Sequence, residues 1–274
     1  MMNGLEKESK VIFITGAFGL IGLPLCKYFL SQGVNVVLAD SNDEISLNIY
    51  TELINEGFPE DRFLLVSIDI VNELSISNAI ELSLTKFKKI DVLINNAAID
   101  AKFDSGGISK LNNNSFENYP FELIKKSIEV NTLGTVLVTQ KLCKVMLNQG
   151  GGNIINVAST YALVSPNQNL YDFGDSNIMF KPVDYIVSKS FIPNFTRYVA
   201  TFYAKQNIRC NAIAPHGISN NHSNEFLVNF NKLSPIGRMC NVDELFGTFN
   251  LLASNDSSYI TGETIVIDGG WTSW

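Results

Sequence analysis

Several absences narrow the field for this 274-residue sequence. The balance is acidic, with a formal net charge of −7, which argues against a nucleic-acid surface, since that needs clustered Lys and Arg. The four cysteines, Cys26, Cys143, Cys210 and Cys240, lie far apart with no Cys-x-x-Cys or Cys/His grouping. Free thiols in a reducing compartment fit this better than disulfides or metal ligands. No apolar run reaches the roughly 20 residues of a membrane span, and "MMNGLEKESK" at the N-terminus lacks an apolar signal-peptide core. Charged residues make up only 17% and apolar ones 46%, so a sizeable core is expected and extended disorder is not. The expectation is a soluble, cytoplasmic protein without nucleic-acid or membrane partners.

What is present is alternation. Short β-branched runs at 11–15, 35–40, 62–69, 91–97, 153–159, 208–215 and 264–270 alternate with helical patterns near 20–32, 43–57, 72–87, 120–149, 183–206 and 243–253. Several strand runs are apolar on successive residues, as strands buried on both faces should be. The pattern predicts a single α/β domain over 1–274: a seven-stranded parallel sheet with helices on both faces. Segments 100–120 and 161–182 break the alternation. Each follows a strand end, where open α/β sheets place their ligands, so each is expected to border a binding site.

The first strand runs into "TGAFGLIG". Gly16, Gly19 and Gly22 allow a tight turn and close backbone approach, so a pyrophosphate can sit at a helix N-terminus. The second strand ends at Asp40. A carboxylate there can accept hydrogen bonds from ribose hydroxyls and repels a 2′-phosphate, and neither Ala17 nor Phe18 supplies a balancing positive charge. NAD is therefore expected over NADP; the alternative for Asp40 is a solvated strand end. In "VDYIVSK", Tyr185 and Lys189 are four apart and share a helix face. A phenol with a pKa near 10 is a poor base at neutral pH, and a nearby ammonium favours the phenolate. Tyr185 reads as an acid/base and Lys189 as its electrostatic tuner.

These motifs, with "DI" at 69–70, "NNAA" at 95–98, "EVNTLGT" around Asn131, "NVAST" around Ser159, "RCNAIAP" and "YITGETIVIDGG", resemble the short-chain dehydrogenase/reductase family over nearly the whole chain. The resemblance implies a single-domain Rossmann fold and NAD-dependent hydride transfer between nicotinamide and a secondary alcohol or ketone. By the same resemblance Asp69, with Ile70, meets the adenine edge, and Asn95 and Ala97 line the cofactor. Lys189 also holds the nicotinamide ribose, Ser159 polarises the substrate oxygen, and Asn131 anchors a proton relay. Thr15, Gly16, Gly19, Leu20, Ile21 and Gly22 in the glycine loop, with Pro215, Gly217 and Ile218 beyond the sixth strand, complete the implied cofactor contacts. No metal is implied.

Some features depart from the family pattern. The Gly16-Gly19-Gly22 spacing is that of the extended branch, home of nucleotide-sugar epimerases and dehydratases, although the chain after Lys189 is short and ends in the short branch's "TGETIVIDGG". The interval from Ser159 to Tyr185 is longer than usual. The surplus, carrying Tyr171, Asp172, Asp175 and Lys181, suits a polar, hydroxyl-rich substrate such as a sugar or sugar phosphate; a surface or subunit-contact loop is the alternative. His216 stands where the family has glycine and is a candidate contact to a substrate phosphate or carboxylate. Pro193 predicts an irregularity in the 183–206 helix. The insertion and the "GGWTSW" end are similar to the oxidoreductases of bacterial flagellin-glycan and nonulosonic-acid pathways. The resemblance also implies a homodimer or homotetramer through the helices at 120–149 and 183–206, and an exposed "WTSW" tail is expected as a second contact. An epimerase or dehydratase that keeps its NAD, and a non-catalytic NAD sensor, are the competing functions.

Overall fold

The computed structural model describes residues 10–100, 115–171 and 180–274. The apolar runs form β1 (Val11–Thr15), β2 (Asn35–Asp40), β3 (Phe63–Ser67), β4 (Val92–Asn95), β5 (Gly152–Val157), β6 (Ile208–Pro215) and β7 (Thr264–Ile267). All pair in parallel, in the order β3-β2-β1-β4-β5-β6-β7. The expected seven-stranded Rossmann-type sheet is present. The chain winds outward from β1 to β3 and returns to β4 on the other side of β1, which opens a crevice at the strand C-termini.

Helices α1 (Gly22–Ser31), α2 (Ser46–Asn55), α3 (Glu73–Phe87), α4 (Phe121–Ser127), α5 (Thr135–Asn148), α6 (Val183–Lys189), α7 (Ile192–Tyr203), α8 (Asn224–Leu233) and α9 (Phe246–Ala253) cover the sheet. Strand alternation feeds two cores. Ile12 and Ile14 pack with Leu25 and Phe29 of α1 and Phe249 and Leu252 of α9. Val11 and Phe13 face the opposite way, with Ile76 and Ile80 of α3 and Val138, Leu142 and Met146 of α5. All four cysteines are free. Among the described residues, no helix is long and apolar enough to cross a membrane.

The irregularity expected at Pro193 takes the form of a break: the 183–206 helix is two helices, and Pro193 is the second residue of α7, where a missing N–H costs no hydrogen bond. Local structure differs from the sequence expectation in three places. The 120–149 helix contains a π-helical turn, Ile128–Gly134. Helix α8 was not expected; the Ser223 hydroxyl caps it by accepting from Phe226 N at 3.3 Å. Trp271, expected at the surface, is buried against His216 and Phe230, while Trp274 is exposed. The rest of the two irregular segments, 101–114 and 172–179 with Asp172 and Asp175, lies outside the described residues.

Candidate active site

A cleft of about 810 Å³ opens at the C-terminal ends of the strands. At its β1–β3 end the wall is mostly backbone. Gly16 has φ +63°, and a Cβ there would lie 2.7 Å from Ala97 Cα; a Cβ on Gly22 would lie 2.2 Å from the Gly16 carbonyl oxygen. Both positions therefore require glycine. Gly16, Gly19, Leu20 and Ile21 line the cleft. Thr15 and Gly22 shape the loop from behind: the Thr15 hydroxyl accepts from Asn96 N and Ala97 N, both at 3.1 Å. The first turn of α1 has no side-chain cap and no acidic residue; Pro24 carries no N–H and the Leu23 and Leu25 N–H groups donate to the Gly19 and Ile21 carbonyls at 3.1 Å, so what this end offers an anion is the positive end of the helix dipole.

The Asp40 carboxylate is fixed at the edge of this end, accepting from Phe18 N at 2.9 Å and Asn42 N at 3.0 Å. Asp69, Ile70 and Ala97 also line the cleft. Asn95 does not. Its amide is buried, donating to Thr139 Oγ1 at 2.9 Å and Asn156 Oδ1 at 2.8 Å. Its neighbour Asn96 is the one in the cleft wall, donating to the Thr15 and Gly16 carbonyls at 3.1 and 2.9 Å. Successive residues at a strand end point to opposite sides, so the expected contact moves by one residue.

At the β5–β6 end, one turn of α6 places Tyr185 and Lys189 in the wall, beside Ser159 from the end of β5. The Tyr185 phenol and the Ser159 hydroxyl line the same wall. The expected tuning of the phenol is reversed in this state. Burial first, and the Asp100 carboxylate second, push the Tyr185 phenol up, and the Ser159 hydroxyl only partly opposes them. Lys189 donates to the Val157 carbonyl at 2.7 Å, and burial pushes its ammonium down to about 8 against the opposing pull of Asp100. The phenol is thus held protonated at neutral pH. Asn131 stands behind the wall in the π-helical turn. Its amide brackets Ile99, accepting from N at 2.8 Å and donating to O at 2.9 Å. It also donates to Ser188 Oγ at 2.9 Å, and Ser188 in turn donates to the Tyr185 carbonyl at 3.1 Å.

Beyond these groups the wall is aromatic. His216 lies against Trp271 with ring centroids 4.2 Å apart and stacks on Phe230 at 5.4 Å. Its Nδ1 shares a 2.6 Å hydrogen bond with Thr160 Oγ1. Burial pushes the imidazole down to about 4, with Asp268 opposing and Lys181 adding. A contact from this ring to a substrate phosphate or carboxylate would therefore be a hydrogen bond from an uncharged imidazole. Tyr161 and Tyr171 line the same wall, and burial pushes both phenols up. Lys181 and Asp100 form an ion pair at 2.6 Å inside the cleft. Pro215, Gly217 and Ile218 line the same end. Asn96, Asp100, Thr160 and Tyr161 were not singled out by sequence; they acquire their place only through partners distant in the chain.

Residues 16–272 match the family model described as enoyl-(acyl carrier protein) reductase. The chain is 32% identical over 264 residues to post-translational flagellin modification protein A of Campylobacter coli, covering 96% of this chain and 98% of that protein. It is 32% identical over 270 residues to a 7alpha-hydroxysteroid dehydrogenase of Bacteroides fragilis, covering 97% and 95%. Among solved structures, a short-chain dehydrogenase of Leptospira borgpetersenii with bound NAD+ superposes with TM-score 0.80 at 30% identity, covering 99% and 97%. A gluconate 5-dehydrogenase of Burkholderia cenocepacia in complex with NADP and tartrate shares the fold, with TM-score 0.81 at 24% identity, covering 97% and 96%. With the sheet order, the glycine loop and the Ser159–Tyr185–Lys189 cleft on the same chain, the conclusion is that it belongs to the short-chain dehydrogenase/reductase family of oxidoreductases.

Proposed function

We propose that this chain is an NAD-dependent dehydrogenase acting on a secondary alcohol or ketone of a polyhydroxylated, sugar-type substrate. The observation that carries the reading is the Tyr185 phenol, the Ser159 hydroxyl and the Lys189 ammonium brought together in one cleft wall. The opposite end of the cleft fits a dinucleotide: Gly16 and Gly22 leave no room for a Cβ, and the start of α1, with no acidic residue in its first turn, presents the positive end of the helix dipole to a pyrophosphate. Gly16, Gly19, Leu20 and Ile21 hold that group, Asp40 the adenosine ribose, and Asp69 with Ile70 the adenine. Ala97, Pro215, Gly217 and Ile218 flank the nicotinamide half, and Lys189 holds its ribose.

When bound, the dinucleotide supplies the hydride donor or acceptor. Ser159 donates to the substrate oxygen and fixes it within reach of Tyr185. Tyr185 gives its proton to a carbonyl oxygen in reduction, or takes the hydroxyl proton in oxidation. The raised phenol suits the first direction in the resting state. Asn131 acts by position, tying the segment after β4 to α6 through Ile99 and Ser188.

Asp40 favours NAD, because both its oxygens are oriented by backbone donors at the ribose end and the cleft lining beside it is Ser41, Asn42 and Ile45, with no cation. The polar wall of Asp100, Lys181, Tyr161 and Tyr171 favours a hydroxyl-rich substrate over a steroid. The exposed Leu133, Leu147, Tyr198 and Phe202 on or next to α5 and α7 support a homo-oligomer, for which light scattering is the check.

The test is nicotinamide absorbance with a panel of polyols and keto sugars. Turnover with NAD well above that with NADP is the expected result. No redox change with any member of the panel sinks the dehydrogenase reading, and equal rates with NADP sink the cofactor assignment.

A further inference from the structure

Building on the dehydrogenase reading, we infer that the Asp100–Lys181 ion pair is a substrate subsite that selects a neutral hydroxyl next to the reacting carbon, as in a vicinal diol or an α-hydroxyketone. The pair joins the segment after β4 to the insertion before α6. Lys181 Nζ lies 2.6 Å from Asp100 Oδ2, with side chains 6% and 18% exposed. The same ammonium sits 4.3 Å from the Tyr185 ring centroid. Both partners line the cleft that holds Ser159 and Tyr185.

Two charges removed from water are a poor way to hold loops together. Apolar residues of similar volume do it as well or better, whereas removing one partner alone is strongly destabilising. Their position over the acid/base ring points to recognition instead. An ammonium carries three donors and an ionised carboxylate about four lone-pair sites. A hydroxyl can accept from Lys181 and donate to Asp100 at once, in two charge-assisted bonds that are strong where water is excluded. An incoming phosphate or carboxylate meets the charge of Asp100, and an incoming amine that of Lys181. The neighbouring Tyr161, Tyr171 and His216 add no charge, since burial holds both phenols protonated and the imidazole neutral. The subsite therefore favours an uncharged, hydroxylated carbon. A substrate lacking that hydroxyl displaces water from the pair's outer faces and returns no hydrogen bond in exchange, which is how a polar site rejects an analogue.

The experiment measures binding to the protein loaded with reduced nicotinamide dinucleotide, so that alcohols bind without reacting. The probes are trans-1,2-cyclohexanediol, cyclohexanol and trans-2-hydroxycyclohexanecarboxylate, read by calorimetry or saturation-transfer NMR. The wild type is expected to bind the diol at least about hundredfold tighter than the monool, and tighter than the carboxylate. Lys181→Arg keeps that ratio. Lys181→Met loses at least about tenfold of it, and so does the double variant Asp100→Leu/Lys181→Met. The double variant has no orphaned charge, so it remains informative if the single variant does not fold. A wild-type ratio near one, a ratio unchanged in the double variant, or tighter binding of the carboxylate overturns the subsite. Diol selectivity without oxidation of any alcohol by the NAD-loaded protein supports the subsite and sinks the dehydrogenase reading.

Discussion

The β1–β3 end of the cleft and the β5–β6 end are built from different materials. At the first, peptide groups do most of the shaping: a glycine turn, an uncapped helix start, and Asp40 steered by two backbone amides. At the second, side chains do it: a phenol beside a hydroxyl, a buried ammonium, a neutral imidazole against Trp271, and an ion pair out of water. Backbone donors have no proton to lose and little freedom to move, so they suit a constant ligand. Desolvated side chains have protonation states that their neighbours can shift, so they suit chemistry and discrimination. Changes at the first end should therefore alter affinity, and changes at the second should alter rates and pH dependence.

The sharpest way to break this division is Tyr185→Phe. Loss of a positioned proton donor should lower kcat/KM about 10²–10⁴-fold, with a far smaller change in dinucleotide Kd by fluorescence titration. A comparable loss of affinity would erase the distinction. His216 comes next. Its folded value of about 4 lies below the ordinary 6.5, so between these pH values the unfolded chain takes up a proton that the native one refuses. Its contribution is complete above pH 6.5 and is lost as pH falls toward 4, by on the order of 3 kcal/mol in full. Urea unfolding of wild type and His216→Gln across that window should show this part of the slope vanish in the variant.

At the other end, Gly22→Ala forces a methyl group against the Gly16 carbonyl. It should cost about 1–3 kcal/mol by overpacking, read as a lower Tm together with weaker dinucleotide binding. The smallest expected effect is Asp40→Ala, which should shift the NAD/NADP preference about tenfold, or about 1.4 kcal/mol, and leave the pH profile of turnover in place. A displaced profile would show that the two ends are electrostatically coupled.

The same division governs what could be read in advance. The strands were legible because doubly buried runs are apolar at successive positions, and the glycine turn because a positive φ and a 2.2 Å clearance leave few residue choices. Tyr185 and Lys189 were legible because helical spacing alone puts them on one face. Asn95 was chosen over Asn96 because two asparagines at a strand end look alike until the strand's facing is known. The direction in which the Tyr185 phenol shifts was missed because the ammonium is adjacent in sequence, while the burial and Asp100 that outweigh it are tertiary. Thr160–His216 and Asp100–Lys181 leave no local trace at all. Helix α8 was within reach: Ser223 followed by Phe226 and Phe230, four apart, is a cap and an apolar stripe.

The wide turn at Ile128–Gly134 carries a consequence for how this rod tolerates change. A π-helical turn holds more residues per turn than an α-helical one, so deleting one residue there would relax it to ordinary geometry. Because the turn would still close, Val138, Leu142 and Met146 would keep facing the sheet. What would be lost is the local offset that lets Asn131 bracket Ile99 and reach Ser188. Single-residue deletions between 128 and 134 should therefore spare stability more than deletions in the regular part of the rod, where each lost residue turns one end by about 100°, and should cost the Asn131 contacts instead.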